Sequence, residues 1–190
     1  MPARALLSSA TSLLSAIPFG AETPTLALVT GPRGAGKTTL CLAAADEAAR
    51  RGWSVRGLLS PPVFEHGQKI AINLVDLATR ERRVLARPRA ASEPASPHAT
   101  ADWSFDPAVL AWGDGVLRAI GPCDVLIIDE LGPLEFERGQ GWVSAFPLLD
   151  ARRYRLALVV VRPALLDAAQ ARWPGATVLD VAALRGEVDQ

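Results

Sequence analysis

Residues 31–38 have the composition and spacing of a loop that binds phosphate. Gly31, Gly36, Lys37 and Thr38 satisfy the pattern G-x-x-x-x-G-K-[ST] without a mismatch. A loop that surrounds a phosphate must turn its backbone N–H groups inward, and glycines allow this because side chains would obstruct the turn. In this pattern the lysine reaches the β- and γ-phosphates of a nucleoside triphosphate, and the threonine hydroxyl ligates Mg²⁺. We therefore expect a nucleotide site with Mg²⁺ as its cofactor.

Phosphate binding is assigned to the whole loop and to the residue that follows it. The helix expected after the loop adds the positive end of its dipole. Lys37 also receives a catalytic role, because its charge falls on the phosphates where the reaction occurs. The assigned residues are Gly31, Pro32, Arg33, Gly34, Ala35, Gly36, Lys37, Thr38 and Thr39.

A second motif, VLIIDE at residues 125–130, ends four apolar residues with two acids. Ligands bind at the carboxyl edge of open α/β sheets, where Asp129 is expected to partner the Mg²⁺ held by Thr38. Glu130 is placed to polarise a water for attack on the γ-phosphate, a role that supplies about 10²–10⁴-fold in rate. Two plainer interpretations stay open. In the first, Asp129 is only the N-cap or turn residue after the strand. In the second, Glu130 belongs to a switch that binds nucleotide without hydrolysing it.

Three further residues have roles that the sequence leaves open. The turn expected at residues 132–133 either returns Glu135 to the site or leaves it as a solvated loop acid. Arg162 directly follows an apolar strand and is a candidate sensor of the γ-phosphate if that strand neighbours the acidic one. Otherwise it caps a strand end. For Arg33, inside the loop, the sequence leaves three options open: contact with phosphate, cover over the base, or exposure to water.

The elements that position these residues alternate between strand and helix. Buried strands are predicted by apolar runs at 25–30, 124–129, 156–161 and 176–181. Helices are expected at 37–51, 106–120, 141–150 and 163–172. The second helix has Asp106 as its N-cap and Pro107 at its first position. This alternation predicts an α/β fold, with a largely parallel sheet and helices on both of its faces.

A segment of different character interrupts this alternation. Short strand candidates lie at 55–59, 70–77 and 83–86, with a turn at 79–80. Together they predict a β-hairpin-like insertion. Residues 87–101 hold Pro, Ala and Ser with almost no large apolar residue, and we expect a mobile loop there.

The chain is expected to form one P-loop domain, residues 25–190, behind an N-terminal extension, residues 1–24. The 87–101 loop is no domain boundary, because the second half of the nucleotide site lies beyond it. The first twenty residues are rich in Ala, Ser and Leu, with Arg4 as their only basic residue. They favour a short amphipathic helix, packed on the domain or on a partner subunit, over a targeting peptide.

The composition excludes several classes of function. Twenty basic and 20 acidic residues give a net charge of +0, so no overall positive field favours nucleic acid. No apolar run approaches the roughly 20 residues of a membrane span. Cys41 and Cys123 lie outside any Cys/His cluster, which leaves a zinc site without support. We expect a soluble, cytoplasmic protein that binds a nucleoside triphosphate, and we leave a homo-oligomer or protein partner open.

The segments GPRGAGKTTL and VLIIDELGPLEF together resemble the THEP-type nucleoside triphosphatases, which are related to the cancer-related NTPase of animals. The stretch D-E-x-G-P-x-E at 129–135 is the more diagnostic part. The resemblance implies a RecA-like P-loop NTPase fold and slow, Mg²⁺-dependent hydrolysis of several nucleoside triphosphates. It carries the family's phosphate loop onto 31–38 and its acidic motif onto Asp129, Glu130 and Glu135.

The chain departs from this family in two places. Members usually carry a basic segment E-V-R-x-x-G-x-R after the second strand. Here residues 63–69 keep only Glu65, Gly67 and Lys69 of that pattern. The N-terminal extension is also unusual for the family.

The leading interpretation is hydrolysis of a nucleoside triphosphate to diphosphate and phosphate. No N-K-x-D motif for reading guanine follows the loop, so loose base selectivity is expected. A small-molecule or nucleotide kinase shares the loop, and residues 80–89 (RERRVLARPR) could serve as its arginine-rich lid. A non-hydrolysing, ATP-dependent switch would instead order residues 87–101 and recruit a partner.

Overall fold

The computed structural model describes residues 14–90, 99–100 and 102–188, and within them the strands form one sheet. The strands are β1 (Thr25–Thr30), β2 (Val55–Leu59), β3 (Pro62–Glu65), β4 (Gln68–Asp76), β5 (Arg82–Pro88), β6 (Trp103–Phe105), β7 (Cys123–Leu131), β8 (Tyr154–Val161) and β9 (Thr177–Asp180). The α-helices are α1 (Lys37–Arg50), α2 (Pro107–Arg118), α3 (Pro133–Phe136), α4 (Ala145–Asp150), α5 (Leu166–Arg172) and α6 (Val181–Val188). A 3₁₀ turn at Pro163–Leu165 leads into α5.

The parallel part of the sheet has the strand order β2-β7-β8-β1-β9. One strand, β8, therefore separates β1, which leads into the glycine loop, from β7, which contains the acids. Four of these strands were predicted from apolar runs, and the α/β fold is confirmed. The fifth, β2, was predicted as a strand but was assigned to the insertion, whereas it pairs in parallel with β7. The insertion extends the same sheet beyond β2, with β4, β5 and β6 antiparallel and β3 paired with β4.

Alternate residues of the central strands point into two hydrophobic clusters, one on each face of the sheet. In β1, Leu26 and Leu28 belong to one cluster, and Ala27 and Val29 belong to the other. Each of these four side chains is at most 1% exposed. Helices α2, α4 and α5 cover the first face, while α1 and α6 cover the second. Burial on both faces explains why the strands are nearly continuous apolar runs.

The predicted hairpin-like insertion contains more strands than the sequence suggested. Strands β4 and β5 correspond to the predicted 70–77 and 83–86. Strand β3 was missed because it begins at Pro62, and proline lacks the N–H that a central strand requires. Strand β6 was missed because three residues beside the loop carry too little pattern.

Two boundary predictions were wrong. The helix expected at 141–150 begins only at Ala145, since Gly141 has a φ of 72° and cannot belong to a helix. The expected loop at 87–101 has ordered ends, because Arg87 and Pro88 extend β5 to pair with β6, and Ala99 bridges to Ser104. Residues 91–98 and 101 of that prediction lie outside the described residues.

Both chain ends add elements to the domain. The last strand stops at Asp180, and α6, which the sequence did not predict, begins at the next residue. Residues 1–13, where most of the amphipathic helix was expected, lie outside the described residues. The described end of the extension buries Ile17 and Phe19, which are 4% and 8% exposed. None of the helices in the described ranges is both long and apolar enough to span a membrane.

Candidate functional site

The glycine loop (residues 31–36) has a backbone that only glycine adopts easily. Gly31, Gly34 and Gly36 have φ angles of 133°, 82° and 98°, in the region that favours glycine. Gly36 is the N-cap of α1, so the loop runs directly into the positive end of a 14-residue helix. The loop therefore places backbone N–H groups beside a helix N-terminus, and the two together attract an anion.

Lys37, the first residue of α1, folds back over the glycine loop. Its Nζ donates hydrogen bonds to the carbonyl oxygens of Gly31, at 2.6 Å, and Pro32, at 2.9 Å. Both bonds are made to the backbone, so the ammonium group is fixed beside the loop. An anion bound there would meet this positive charge directly.

Asp129 joins the acidic strand to the glycine loop. Its Oδ1 accepts a hydrogen bond from the hydroxyl of Thr38 at 3.2 Å, and its Oδ2 accepts one from the backbone N–H of Ser60 at 3.0 Å. The side chain is nearly buried, with Asp129 only 2% exposed. This burial raises the pKa of Asp129 to about 6, although the two hydrogen bonds oppose the rise. A hydroxyl and a carboxylate oxygen side by side are hard donors of the kind that Mg²⁺ prefers.

Glu130 forms an ion pair with Arg162. Nε of the arginine donates to Oε1 of the glutamate, which joins the carboxyl ends of β7 and β8. The two strands are neighbours, as the role suggested for Arg162 requires. Both side chains keep contact with solvent, with exposed fractions of 32% and 53%. The pair gives the Glu130 carboxylate a fixed direction at the sheet edge.

Lys69 contributes a further positive charge from the insertion. It lies at the start of β4, and its Nζ stacks 4.5 Å from the ring centre of Trp103. Burial lowers the pKa of Lys69, the charges of Arg33 and Arg162 add to this effect, and Glu130 and Asp129 oppose it. Lys69 is therefore within electrostatic reach of the glycine loop and of both acids.

Glu135 lies in a different environment from Glu130. It is 7% exposed, and its two oxygens accept hydrogen bonds from the backbone N–H groups of Gly132, at 2.8 Å, and Trp142, at 3.0 Å. Burial raises the pKa of Glu135, while these hydrogen bonds oppose the rise. Of the two options left by the sequence, the solvated loop acid is wrong. Both oxygens hold the two ends of the 132–142 segment together.

Arg33 pairs with Asp102, just before β6. Nη1 of the arginine lies 3.2 Å from Oδ2 of the aspartate, and both side chains are largely exposed. An exposed pair of this kind contributes little to stability. It does place the arginine on the side of the loop that faces the insertion.

The structure thus brings together Lys37, Thr38, Asp129, Glu130 and Arg162, which the sequence had assigned to one site. Sequence reasoning gave no role to Ser60 and noted Lys69 only as part of a motif. Ser60 acts through its backbone N–H, so its residue type carried no signal. Lys69 did carry one, since the chain has only two lysines and the other is Lys37.

Known proteins resemble this chain in sequence. The chain matches the model of a protein family described as NTPase over residues 27–142, more than half of its 190 residues. The chain belongs to this NTPase family. The matched range contains the glycine loop, Asp129, Glu130 and the insertion.

Curated members of the family include proteins named nucleoside-triphosphatase THEP1. The one from Thermococcus kodakarensis is 33% identical over 132 residues, which cover 69% of this chain and 73% of that protein. The one from Methanopyrus kandleri is 32% identical over 110 residues, which cover 58% of this chain and 59% of that protein. The resemblance noted in the sequence is confirmed.

Two solved structures share the fold of this NTPase family member. A human cancer-related nucleoside triphosphatase superposes with a TM-score of 0.65 at 22% identity, covering 87% of this chain and 95% of that one. THEP1 from Aquifex aeolicus superposes with a TM-score of 0.57 at 16% identity, covering 83% and 90%. The P-loop NTPase fold inferred from the sequence is therefore confirmed.

Proposed function

We propose that this protein hydrolyses nucleoside triphosphates to the diphosphate and phosphate, in a reaction that depends on Mg²⁺ and selects loosely among bases. The observation that carries this proposal is the hydrogen bond from Thr38 to Asp129, which joins the glycine loop to the acidic strand. Glu130 stands next to this bond. Membership of the NTPase family, and the names of its curated relatives, support the same reaction.

In this proposal the glycine loop holds the phosphates. Backbone N–H groups of residues 33–39 surround the β-phosphate, and the N-terminus of α1 favours its negative charge. Lys37 exchanges its carbonyl partners for oxygens of the β- and γ-phosphates. Because these contacts involve only phosphates, they support binding of any of the four common nucleotides.

Thr38 and Asp129 would hold the Mg²⁺. The fit rests on their oxygens, which are hard donors and lie together at the carboxyl edge of the sheet. The ion would supply charge neutralisation between the β- and γ-phosphates. No group of three or more His, Cys, Asp or Glu residues able to hold a metal occurs in the described part of the chain, so most of the remaining ligands must be phosphate oxygens and water.

Glu130 would act as the general base. Its carboxylate accepts a proton from a water molecule, whose oxygen then forms a bond to the γ-phosphorus. The bond from that phosphorus to the bridging oxygen breaks, and the diphosphate leaves with the electron pair. Arg162 directs the carboxylate, and with Lys69 it supplies positive charge on the side where charge shifts during transfer.

Glu135 would support the site from outside it. Its two hydrogen bonds close the segment that follows Glu130, and so they hold the end of β7 in place.

Three expectations from the sequence are not tested by the structure or by the comparisons and stay predictions. These are the boundary of the P-loop domain at residue 25, a cytoplasmic location and a protein partner or homo-oligomer.

The test is phosphate release from ATP, GTP, CTP and UTP with Mg²⁺, by wild type and by Glu130→Gln. The wild type should turn over several of the four, and the variant should lose about a hundredfold or more while binding nucleotide normally. The matched control is Glu137→Gln, an exposed acid seven residues later, which should keep full activity. Binding without turnover by the wild type would contradict hydrolysis and favour the switch or kinase interpretation.

A further inference from the structure

Helix α6 packs against the glycine loop from the side opposite to the acidic strand. In the sheet, β9 neighbours β1 on one side, and β8 followed by β7 lies on the other. Asp180, at the end of β9, caps α6 by accepting hydrogen bonds from the backbone N–H groups of Ala182, at 2.9 Å, and Ala183, at 3.3 Å. The same Oδ1 lies 3.4 Å from where a Cβ on Gly31 would stand. The start of α6 is therefore fixed beside the first glycine of the loop.

Arg185, one turn along α6, brings its guanidinium group onto the last glycine of the loop. A Cβ built on Gly36 would collide with Nη2 of this arginine and would lie 3.1 Å from its Cζ. Gly36 is the N-cap of α1, where the N–H groups of the loop and of the helix converge. A cation thus forms part of the wall of the proposed phosphate site.

The guanidinium group of Arg185 has an unmet need for an acceptor. Its Nε is buried, and no residue in the described part of the chain accepts a hydrogen bond from it. Buried polar atoms are normally paired, because losing water without gaining a partner is unfavourable. A phosphate group, which accepts two parallel hydrogen bonds from a guanidinium, has the chemistry that is missing here.

The topology indicates which phosphate this is. Glu130 lies in β7, Arg162 directly follows β8, and Lys69 lies in β4. All three are on one side of β1, and they mark the γ-phosphate end of the proposed site. Arg185 follows β9 on the other side of β1, so it lies towards the nucleoside end. The anion at that end is the α-phosphate.

We propose that Arg185 binds the α-phosphate of the nucleotide held by the glycine loop, and so adds affinity for nucleotides without reading the base. This inference rests on the proposed function and extends it to substrate recognition. The α-phosphate is common to all four nucleotides but absent from pyrophosphate. Arg185 therefore favours nucleotides over pyrophosphate and leaves the base free.

The experiment compares the binding of ADP, GDP, CDP, UDP and pyrophosphate, with Mg²⁺, by titration calorimetry. Arg185→Ala should lower the affinity for each of the four nucleotides by about tenfold or more, and by similar factors. Arg185→Lys keeps the charge but lacks the paired donors of the guanidinium, so its nucleotide affinities should lie between those of Arg185→Ala and wild type. We expect pyrophosphate to occupy the β- and γ-positions beside Lys37, so its affinity should change less than twofold.

The control variant is Arg153→Ala, which removes an exposed positive charge just before β8, at the opposite end of that strand from Arg162. It should bind every ligand as the wild type does. Nucleotide affinities of Arg185→Ala within twofold of wild type would overturn the proposal. So would a loss confined to one base, or an equal loss for pyrophosphate together with a lower melting temperature without ligand.

The two levels of inference fail in distinguishable ways. A wild type that binds none of the nucleotides would contradict the proposed function itself. A wild type that binds them, beside an Arg185→Ala protein that binds them equally well, would contradict only the role of Arg185.

Discussion

The hydroxyl of Thr38 and the carboxylate of Asp129 are joined by a hydrogen bond of 3.2 Å, although 91 positions separate them in the chain. Thr38 lies in the first turn of α1, and Asp129 lies near the end of β7, two strands from β1. The bond fixes the distance between the phosphate-binding loop and the acids.

Removing the ammonium group of Lys37 should remove most nucleotide affinity. The group lies against the loop carbonyls and would exchange them for phosphate oxygens. We expect Lys37→Ala to weaken ADP and ATP binding by about 10- to 100-fold, as the loss of hydrogen bonds to a charged group does. Titration calorimetry with Arg153→Ala as the control measures this, and unchanged affinity in Lys37→Ala would remove the loop from the site.

Replacing Asp129 should change the requirement for magnesium. Asp129→Asn keeps the shape but loses the negative charge, so we expect the Mg²⁺ concentration for half-maximal turnover to rise about 10- to 100-fold. The matched control is Asp124→Asn at the other end of β7, which accepts hydrogen bonds from Ser54. An Mg²⁺ titration of activity that is the same in wild type and Asp129→Asn would exclude Asp129 as a partner of the ion.

Arg162 should affect turnover more than the binding of diphosphates. Arg162→Ala frees the Glu130 carboxylate and removes a cation near the γ-phosphate, so kcat should fall about tenfold or more. The affinity for ADP, which lacks that phosphate, should stay within twofold. Arg155→Ala serves as the control, because Arg155 lies at the opposite end of β8 and stacks on Trp53. Equal losses in kcat and in ADP affinity would contradict a role at the γ-phosphate.

Lys69 should distinguish triphosphates from diphosphates. Its charge lies near Arg33, Arg162, Asp129 and Glu130. Lys69→Ala should therefore lower the affinity for ATP by about tenfold and the affinity for ADP much less. Lys69→Arg keeps the charge and should recover most of the affinity. A variant that binds ATP as the wild type does would leave Lys69 with only its packing on Trp103.

Glu135 should matter for stability more than for chemistry. Its oxygens accept two backbone hydrogen bonds, and the amide of Glu135→Gln can accept only one of them. We expect the free energy of unfolding to fall by about 1–3 kcal/mol, with a melting temperature lower by about 2–4 °C for each kcal/mol. The exposed Glu137→Gln variant should melt with the wild type. A stable Glu135→Gln protein with no turnover would instead place Glu135 in the reaction.

The difference in stability between wild type and Glu135→Gln should depend on pH. Burial raises the folded-state pKa of Glu135 above its unfolded value, so the folded protein takes up the proton first as pH falls. The stabilising contribution of this carboxyl is therefore full below the unfolded pKa and is lost as pH rises through the folded one. The stability of wild type relative to Glu135→Gln should increase between pH 7.5 and about 4. A difference that shrinks with falling pH would contradict this.

The sequence predicted the parts of the molecule that rest on strong local patterns. The apolar runs that became β1, β7 and β8 could be predicted because both faces of a parallel strand are buried. The N-cap of α2 is confirmed, with Asp106 accepting hydrogen bonds from the N–H groups of Ala108 and Val109. The glycine loop could be located because few backbones require three glycines at that spacing.

The parts that the sequence missed depend on contacts between distant segments. Strand β6 exists because three residues pair with β5 across the 87–101 segment, a contact with no local pattern. The cation beside the glycine loop is Arg185, which comes from α6. A single arginine in a helix of eight residues forms no sequence motif, so nothing local pointed to it. Lys69 reaches the site because β4 runs beside β2, and strand order cannot be read from composition.

The contact between Ser60 and Asp129 has a consequence for how this site varies among related chains. The carboxylate receives the peptide N–H of Ser60, and the serine hydroxyl is buried without a partner among the described residues. Any residue small enough to fit supplies the same N–H, whereas proline supplies none. Natural selection can therefore act at position 60 only by forbidding proline or bulk. We expect an alignment of related chains to show more variation at position 60 than at Asp129.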